Sequence, residues 1–159
     1  MFLADAHKLY HWFAVNKRNF PWRKDKTPYA VWVAEVMLQQ TRAAVVVEYF
    51  IRWMKRFPTV ESLANAPIEE VIKLWEGLGY YQRARNLHQG AKQVVDLYGG
   101  MVPQDKEKLF QIQGLGPYTV SAILAFAFGE KKVPIDGNIK RVFSRYFLLE
   151  APLGTAAST

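Results

Sequence analysis

Apolar residues recur at three- and four-residue steps along almost this entire sequence. No stretch shows the two-residue alternation of a half-buried strand. That periodicity predicts an all-α fold. Phe2, Leu3, Ala6, Leu9, Tyr10 and Phe13 fall on one face of an N-terminal helix. The polar, proline-containing run RNFPWRKDKTP then breaks the pattern. Helices are expected from Tyr29 to about Gln39 and from about Ala43 to Arg56, the second stopped by Pro58. Two shorter helices are expected over 59–66 and 67–76, with Pro67 suited to a first helical position. GLGY at 77–80 reads as a turn, and Gln82 to Tyr98 as a helix ended by Gly99-Gly100. Asp105–Ile112, a turn at Gly114-Leu115-Gly116 and Pro117–Phe128 form a helix–turn–helix pair over about 105–128. A last helix starts near Gly137 and runs to about Phe147; the end, APLGTAAST, is small and polar with no closing amphipathic helix.

The 159 residues fit one domain. Half of them are hydrophobic and 14% aromatic, which excludes a disordered tail and allows a substantial core. The net charge is +7. The first 80 residues carry 11 Lys+Arg against 8 Asp+Glu, and the remainder 10 against 6, so the excess is spread along the fold. A folded chain this basic points to a polyanion, nucleic acid before membrane. There is no cysteine, which excludes disulfides and any thiolate-held metal or cluster from this chain; no metal site is expected. The longest strongly apolar run, Ala122–Phe128, is far too short to span a bilayer, and MFLADAHKLYHWF lacks the pattern of a signal peptide. An intracellular protein acting on DNA is the expectation, with no membrane partner.

Two carboxylates and one turn carry chemistry. Glu35, in VWVAEVMLQQT, shares its helical face with Val31, Trp32, Leu38 and Gln39. Among such neighbours a carboxyl is desolvated, its pKa rises, and it can donate a proton near neutral pH. The plainer alternative is a glutamate reaching solvent from a half-buried helix. Asp136, in VPIDGNIKRV, sits at a helix start, where Asp is most often an N-cap; the alternative is a carboxylate held at a loop–helix junction facing a cleft. Two carboxylates in such different settings can divide labour, one giving a proton and the other stabilising positive charge. IQGLGPYTVSAI joins two helices by Gly-x-Gly and aims several backbone N–H groups one way, a nest for phosphate that ignores base identity.

Taken together, WVAEVMLQQT, LWEGLGYYQRARNL, this hairpin and IDGNIKRV resemble, in order and spacing, the helix–hairpin–helix base-excision DNA glycosylases, and within them the adenine DNA glycosylase (MutY) branch. FPWR and DKTPYAVWVAEVMLQQT extend the likeness to roughly residues 5–150. The resemblance implies a six-helix barrel lobe with a second helical lobe, and hydrolysis of the N-glycosidic bond of adenine mispaired with 8-oxoguanine or guanine. Glu35 matches the acid that protonates adenine N7. Asp136 matches the carboxylate that stabilises or traps the oxocarbenium-like sugar. Tyr118 matches a position near that carboxylate, and Asn138 an amide that helps hold water or carboxylate. Gln40 and Tyr80 match residues that enter the base stack beside the extruded adenine, and Trp22 and Arg23 match residues around that base. Gly114 and Gly116 match the phosphate-binding hairpin. Arg83 and Arg85 could touch phosphate, but Arg on a helix is usually a solvated face, and both stay unassigned.

Glycosylases of this superfamily that also cut the strand carry a Lys two residues after the second hairpin glycine. Here that position is Tyr118, which cannot form a Schiff base, so a monofunctional enzyme is implied. The resemblance also implies a four-cysteine [4Fe–4S] subdomain and a C-terminal domain reading 8-oxoguanine. With 23 residues after Asp136 and no cysteine, residues 1–159 read as the catalytic part without either. The partner implied is mismatched double-stranded DNA, bound by a monomer. Competing readings are a related glycosylase acting on thymine or another base, a non-catalytic DNA-binding module, and a helical adaptor. Phosphate binding alone requires neither Glu35 nor Asp136.

Overall fold

The structure, a computed structural model, describes residues 2–149, with side chains from residue 5 onward. The polar end at 151–159 and the side chains of Phe2 and Leu3 lie outside the described residues. Ten α-helices and no strand occur among them: α1 (Phe2–Asn16), α2 (Pro21–Lys24), α3 (Pro28–Leu38), α4 (Ala43–Arg56), α5 (Val60–Ala64), α6 (Ile68–Trp75), α7 (Gln82–Tyr98), α8 (Lys106–Gln111), α9 (Pro117–Phe126) and α10 (Gly137–Tyr146).

Helix α3 is the axis of the molecule. Its sequence PYAVWVAEVML is apolar on every side except at Glu35, and such a helix must be surrounded. It packs against α2, α4, α7 and α9, and Tyr29 to Met37 are all buried. Thr27 starts it by accepting the Ala30 N–H, with Pro28 at the first helical position, where no N–H is needed. Around it, Trp32, Trp53 and Trp75 are fully buried, and Trp53 meets Trp75 edge-on at 5.5 Å. Their polar edges are satisfied: the Trp53 indole donates to the Tyr29 hydroxyl, which donates to the Phe57 carbonyl. One core thus runs from α2 to α9.

The expected elements differ from the observed ones in specific ways. One turn of helix, α2, lies inside the proline-containing run, because Pro21 opens it and Trp22 anchors it in the core. Thr59 stands outside α5 as its N-cap, in a reciprocal pair with Ser62. Pro67 is the cap of α6, one residue before the position expected.

The hairpin is held from behind by α7. Gly90 on α7 leaves no room for a side chain: an added Cβ would stand 2.8 Å from the Gln113 carbonyl and 2.9 Å from the Trp32 ring. Gly114 has φ +86°, and a Cβ there would come 2.8 Å from the Asn86 Cβ. By contrast, α1 and α10 lie outside this core. Helix α10 buries no side chain, and Leu9, Trp12, Val142 and Phe143 are exposed. The Tyr146 hydroxyl ties α10 to α1 through Asp5 at 2.6 Å.

Candidate active site

Glu35 is 8% exposed because its helix is enclosed. Its carboxyl pKa is raised, first by burial and further by the charge of Asp136; the neighbouring Tyr118 hydroxyl pulls the other way. Tyr118, near the start of α9, is itself raised, chiefly by burial and then by Glu35 and Asp136. Three elements therefore meet electrostatically: α3, α9 and the start of α10.

Asp136 caps α10. One carboxylate oxygen accepts the Ile139 N–H at 2.7 Å, and the other accepts the Asn138 side-chain amide at 3.0 Å. Asn138 in turn accepts from Arg141 at 3.0 Å. The cap reading of Asp136 is thus met in the structure. It does not exclude the other reading, because the capped carboxylate also bears on Glu35 and Tyr118.

A cavity of about 840 Å³ opens beside Glu35 and Tyr118. Trp22 and Arg23 line it, as do Val31, Ala34 and Leu38 from α3 and Phe126 from α9. Asp136 is not among the lining residues. Trp22 does double service: it stacks on Phe20 at 4.7 Å and meets Phe50 edge-on, so it is core as well as wall. Arg23 is exposed and donates to the Arg18 carbonyl at 2.9 Å. Lys17, Arg18, Lys24 and Lys26 also line it, so cations stand beside its apolar residues. Sequence reasoning missed these four; the signal for them is the density of cations in KRNFPWRKDK.

Gln40 and Tyr80 lie elsewhere, at the far end of α3. Gln40 follows α3 and Tyr80 ends the 77–80 turn; both are exposed. Both are non-glycine residues with positive φ, 56° and 48°, a conformation that costs L-residues about 1–2 kcal/mol. Beside them is Arg83, which the sequence leaves unassigned. Arg83 is half-buried and donates to backbone carbonyls on both sides. Arg85 is exposed and lines a separate cavity of about 400 Å³ with His88, Lys92 and Gln113.

The hairpin stands on a third part of the surface. Gly116 is the N-cap of α9, followed by Pro117. Unlike Gly114 it has an ordinary φ of −86°, and nothing lies within 4 Å of an added Cβ. The fold itself requires glycine at 114 and leaves open space at 116.

The chain has no cysteine, and among the described residues no group of three or more His, Asp or Glu can hold a metal ion. The donor set for an iron–sulfur cluster is therefore not in this chain. No helix among the described residues is long and apolar enough to cross a membrane.

The chain is 48% identical over 151 residues to an adenine DNA glycosylase of Rattus norvegicus, covering 89% of this chain and 29% of that protein. It is 47% identical to the adenine DNA glycosylase of Homo sapiens, covering 86% of this chain and 27% of that one. The chain thus spans less than a third of the length of these relatives. Among solved structures it resembles a thermostable thymine-DNA glycosylase, with a TM-score of 0.81 and 32% identity over 86% of this chain and 64% of that one. It also resembles endonuclease III in a non-covalent DNA complex, with a TM-score of 0.74 and 25% identity over 82% of this chain and 61% of that one. Residues 33–156 match the profile of the HhH-GPD superfamily base excision DNA repair proteins, and the chain belongs to that family.

Proposed function

We propose that this chain is the catalytic part of a monofunctional adenine DNA glycosylase acting on adenine opposite 8-oxoguanine or guanine. One observation carries the reading: a buried, raised-pKa Glu35 stands on the wall of a base-sized cavity, beside Tyr118 and within reach of the charge of Asp136. Ligand cavities run to about 300–1,000 Å³, so this one admits a purine.

The adenine nucleotide leaves the duplex, at a cost of a few kcal/mol, and enters the cavity. Gln40 and Tyr80 fill the gap left in the stack. Gly114 and Gly116 present hairpin amides to a phosphate, and the open space at Gly116 lets that phosphate approach. The cations lining the cavity draw in the phosphates flanking the extruded nucleotide. Glu35 donates its proton to adenine N7. The C1′–N9 bond then breaks with its electron pair on the base. Positive charge builds on the sugar, and ionised Asp136, held by Ile139 and Asn138, stabilises it. Water attacks C1′, its proton passes to a carboxylate, and an abasic site remains.

The likeness to a thymine-DNA glycosylase favours a second reading, release of thymine opposite guanine. Thymine lacks the N7 that a buried acid would protonate, which weighs for adenine. Base release by the full-length protein from duplexes containing A:8-oxoguanine, A:G and T:G decides. Release of thymine but not adenine overturns the first reading.

A further inference from the structure

The side chain of Arg83 joins two loops. It projects from the first turn of α7. One terminal nitrogen donates to the carbonyls of Val36 and Met37 at 3.0 Å each and to that of Gln39 at 2.5 Å. The other donates to the carbonyls of Leu78 at 3.1 Å and Gly79 at 3.2 Å, and to the Thr41 hydroxyl at 3.2 Å. The first three acceptors are carbonyls at the C-terminus of α3, which have no partner within the helix and carry its negative dipole end. The next two belong to the 77–80 turn. Neither salt bridge among the described residues involves Arg83, so the guanidinium is placed by main chain on both sides.

Two of these carbonyls have a particular position. Gln39 C=O belongs to the peptide that precedes Gln40, and Gly79 C=O to the peptide that precedes Tyr80. Those are two of the three non-glycine residues with positive φ among the described residues, the other being Leu148. A torsion φ is measured against the preceding peptide plane. Fixing both planes with one rigid fork fixes the frames from which both side chains project. The Tyr80 ring also lies over the guanidinium, 5.6 Å from its centroid, and the buried Trp75 ring stands 5.3 Å from the same carbon. Trp75 donates to the Gly79 carbonyl at 3.0 Å, which adds a second tie to the core.

We propose that Arg83 is a positioning residue that locks Gln40 and Tyr80 into one unit, so that the two enter the base stack together. This rests on the reading of Gln40 and Tyr80 as stack-entering residues. Lysine cannot replace it, because a single ammonium lacks the planar fork that spans two loops. The arginine acts on extrusion of the base and leaves the chemistry of Glu35 and the count of phosphate contacts unchanged.

The test is base extrusion by the full-length protein in a Glu35→Gln background, which prevents release. The probe is the fluorescence rise of 2-aminopurine placed at the adenine position opposite guanine. Arg83→Lys is expected to lower the extrusion equilibrium about tenfold, as loss of several charged hydrogen bonds should. In a chain already carrying Gln40→Ala and Tyr80→Ala, the same change should cost less than about twofold, because coupled residues are non-additive. The slope of log affinity against log salt should not change. Hydrogen exchange should quicken in both 38–42 and 77–81. Full additivity, exchange rising in only one segment, or a salt slope reduced by about one overturns the proposal; the last would make Arg83 a phosphate contact. If Arg83→Lys does not fold, as far-UV circular dichroism would reveal, Thr41→Val carries the same cycle: it removes one acceptor of the fork and should lower extrusion by a smaller factor, and full additivity there overturns the proposal equally. If Gln40→Ala and Tyr80→Ala extrude the base like their parent, the stack-entry reading fails and this inference with it. If they lose extrusion while Arg83→Lys adds in full, that reading stands and only the inference falls.

Discussion

Tyr118 on α9 and Glu35 on α3 line the same cavity, and each alters the other's ionisation in the opposite sense. The hydroxyl favours the ionised carboxylate, while the buried carboxylate disfavours ionisation of the phenol. Burial dominates at Glu35, so the carboxyl keeps its proton above the ordinary glutamate range. Tyr118 moderates that retention.

Glu35→Gln should abolish base release while leaving DNA affinity nearly intact. It should also stabilise the fold in a pH-dependent way. The native pKa is raised above the ordinary 4.5, so the unfolded chain releases the proton first as pH rises. Stability is therefore lost from about pH 4.5 upward until the native carboxyl also ionises. The glutamine chain lacks that loss. Thermal melts at pH 4 and pH 8 should show the variant's advantage growing with pH; an advantage confined to pH 4 contradicts the assignment.

Tyr118→Phe removes the hydroxyl that lowers the Glu35 pKa. The carboxyl then holds its proton to higher pH, and the alkaline limb of the single-turnover rate should move upward. A limb that moves downward shows that Tyr118 does not tune this carboxyl.

Asp136→Asn separates the two roles of that residue. Asparagine caps helices about as well as aspartate, so the melting temperature should stay within a few degrees. The charge opposite the developing cation is gone, so the rate should fall by at least about a hundredfold. Asp136→Ala should lose about 1 kcal/mol of stability as well. Unchanged turnover by Asp136→Asn would leave only the cap.

Gly114→Ala and Gly116→Ala should fail differently. At 114 the positive φ and the Asn86 Cβ oppose a side chain, and a loss of about 1–3 kcal/mol is expected in chemical denaturation. At 116 nothing in the chain opposes it, so stability should change by less than about 0.5 kcal/mol. DNA affinity should drop there because the methyl stands where phosphate approaches. Equal effects on stability and none on binding would remove the hairpin from the interface.

The product should be an abasic site with the strand unbroken. The position able to supply a Schiff-base amine holds a phenol, and Lys108 precedes the hairpin. Labelled A:8-oxoguanine duplex should break only after alkali, and borohydride should trap little adduct. Breaks without alkali, together with efficient trapping, contradict this.

The helical order was legible in the sequence because periodicity and caps are local: Thr27-Pro28, Asp105 and Asp136 each mark a helix start within three residues of the bond they make. The burial of Glu35 was legible as one of two readings, from the apolar residues that share its helical face; enclosure of α3 on all sides decided between them. The short helix α2 was not, because its stability comes from Trp22 packing against Phe50, 28 residues on. Arg83 was illegible for a stronger reason. Three of its acceptors are carbonyls more than 40 residues away, which every residue possesses and no side chain advertises. The sequence by itself determined the helices other than α2, the net positive charge and Glu35 and Asp136 as candidates. Only the tertiary structure decided that Tyr118 on α9 and Asp136 at the start of α10 act electrostatically on Glu35, and that one guanidinium joins the loops bearing Gln40 and Tyr80. Pairwise distance between remote segments is set by how the core packs, and hydrogen bonds to main chain leave no mark in the order of side chains.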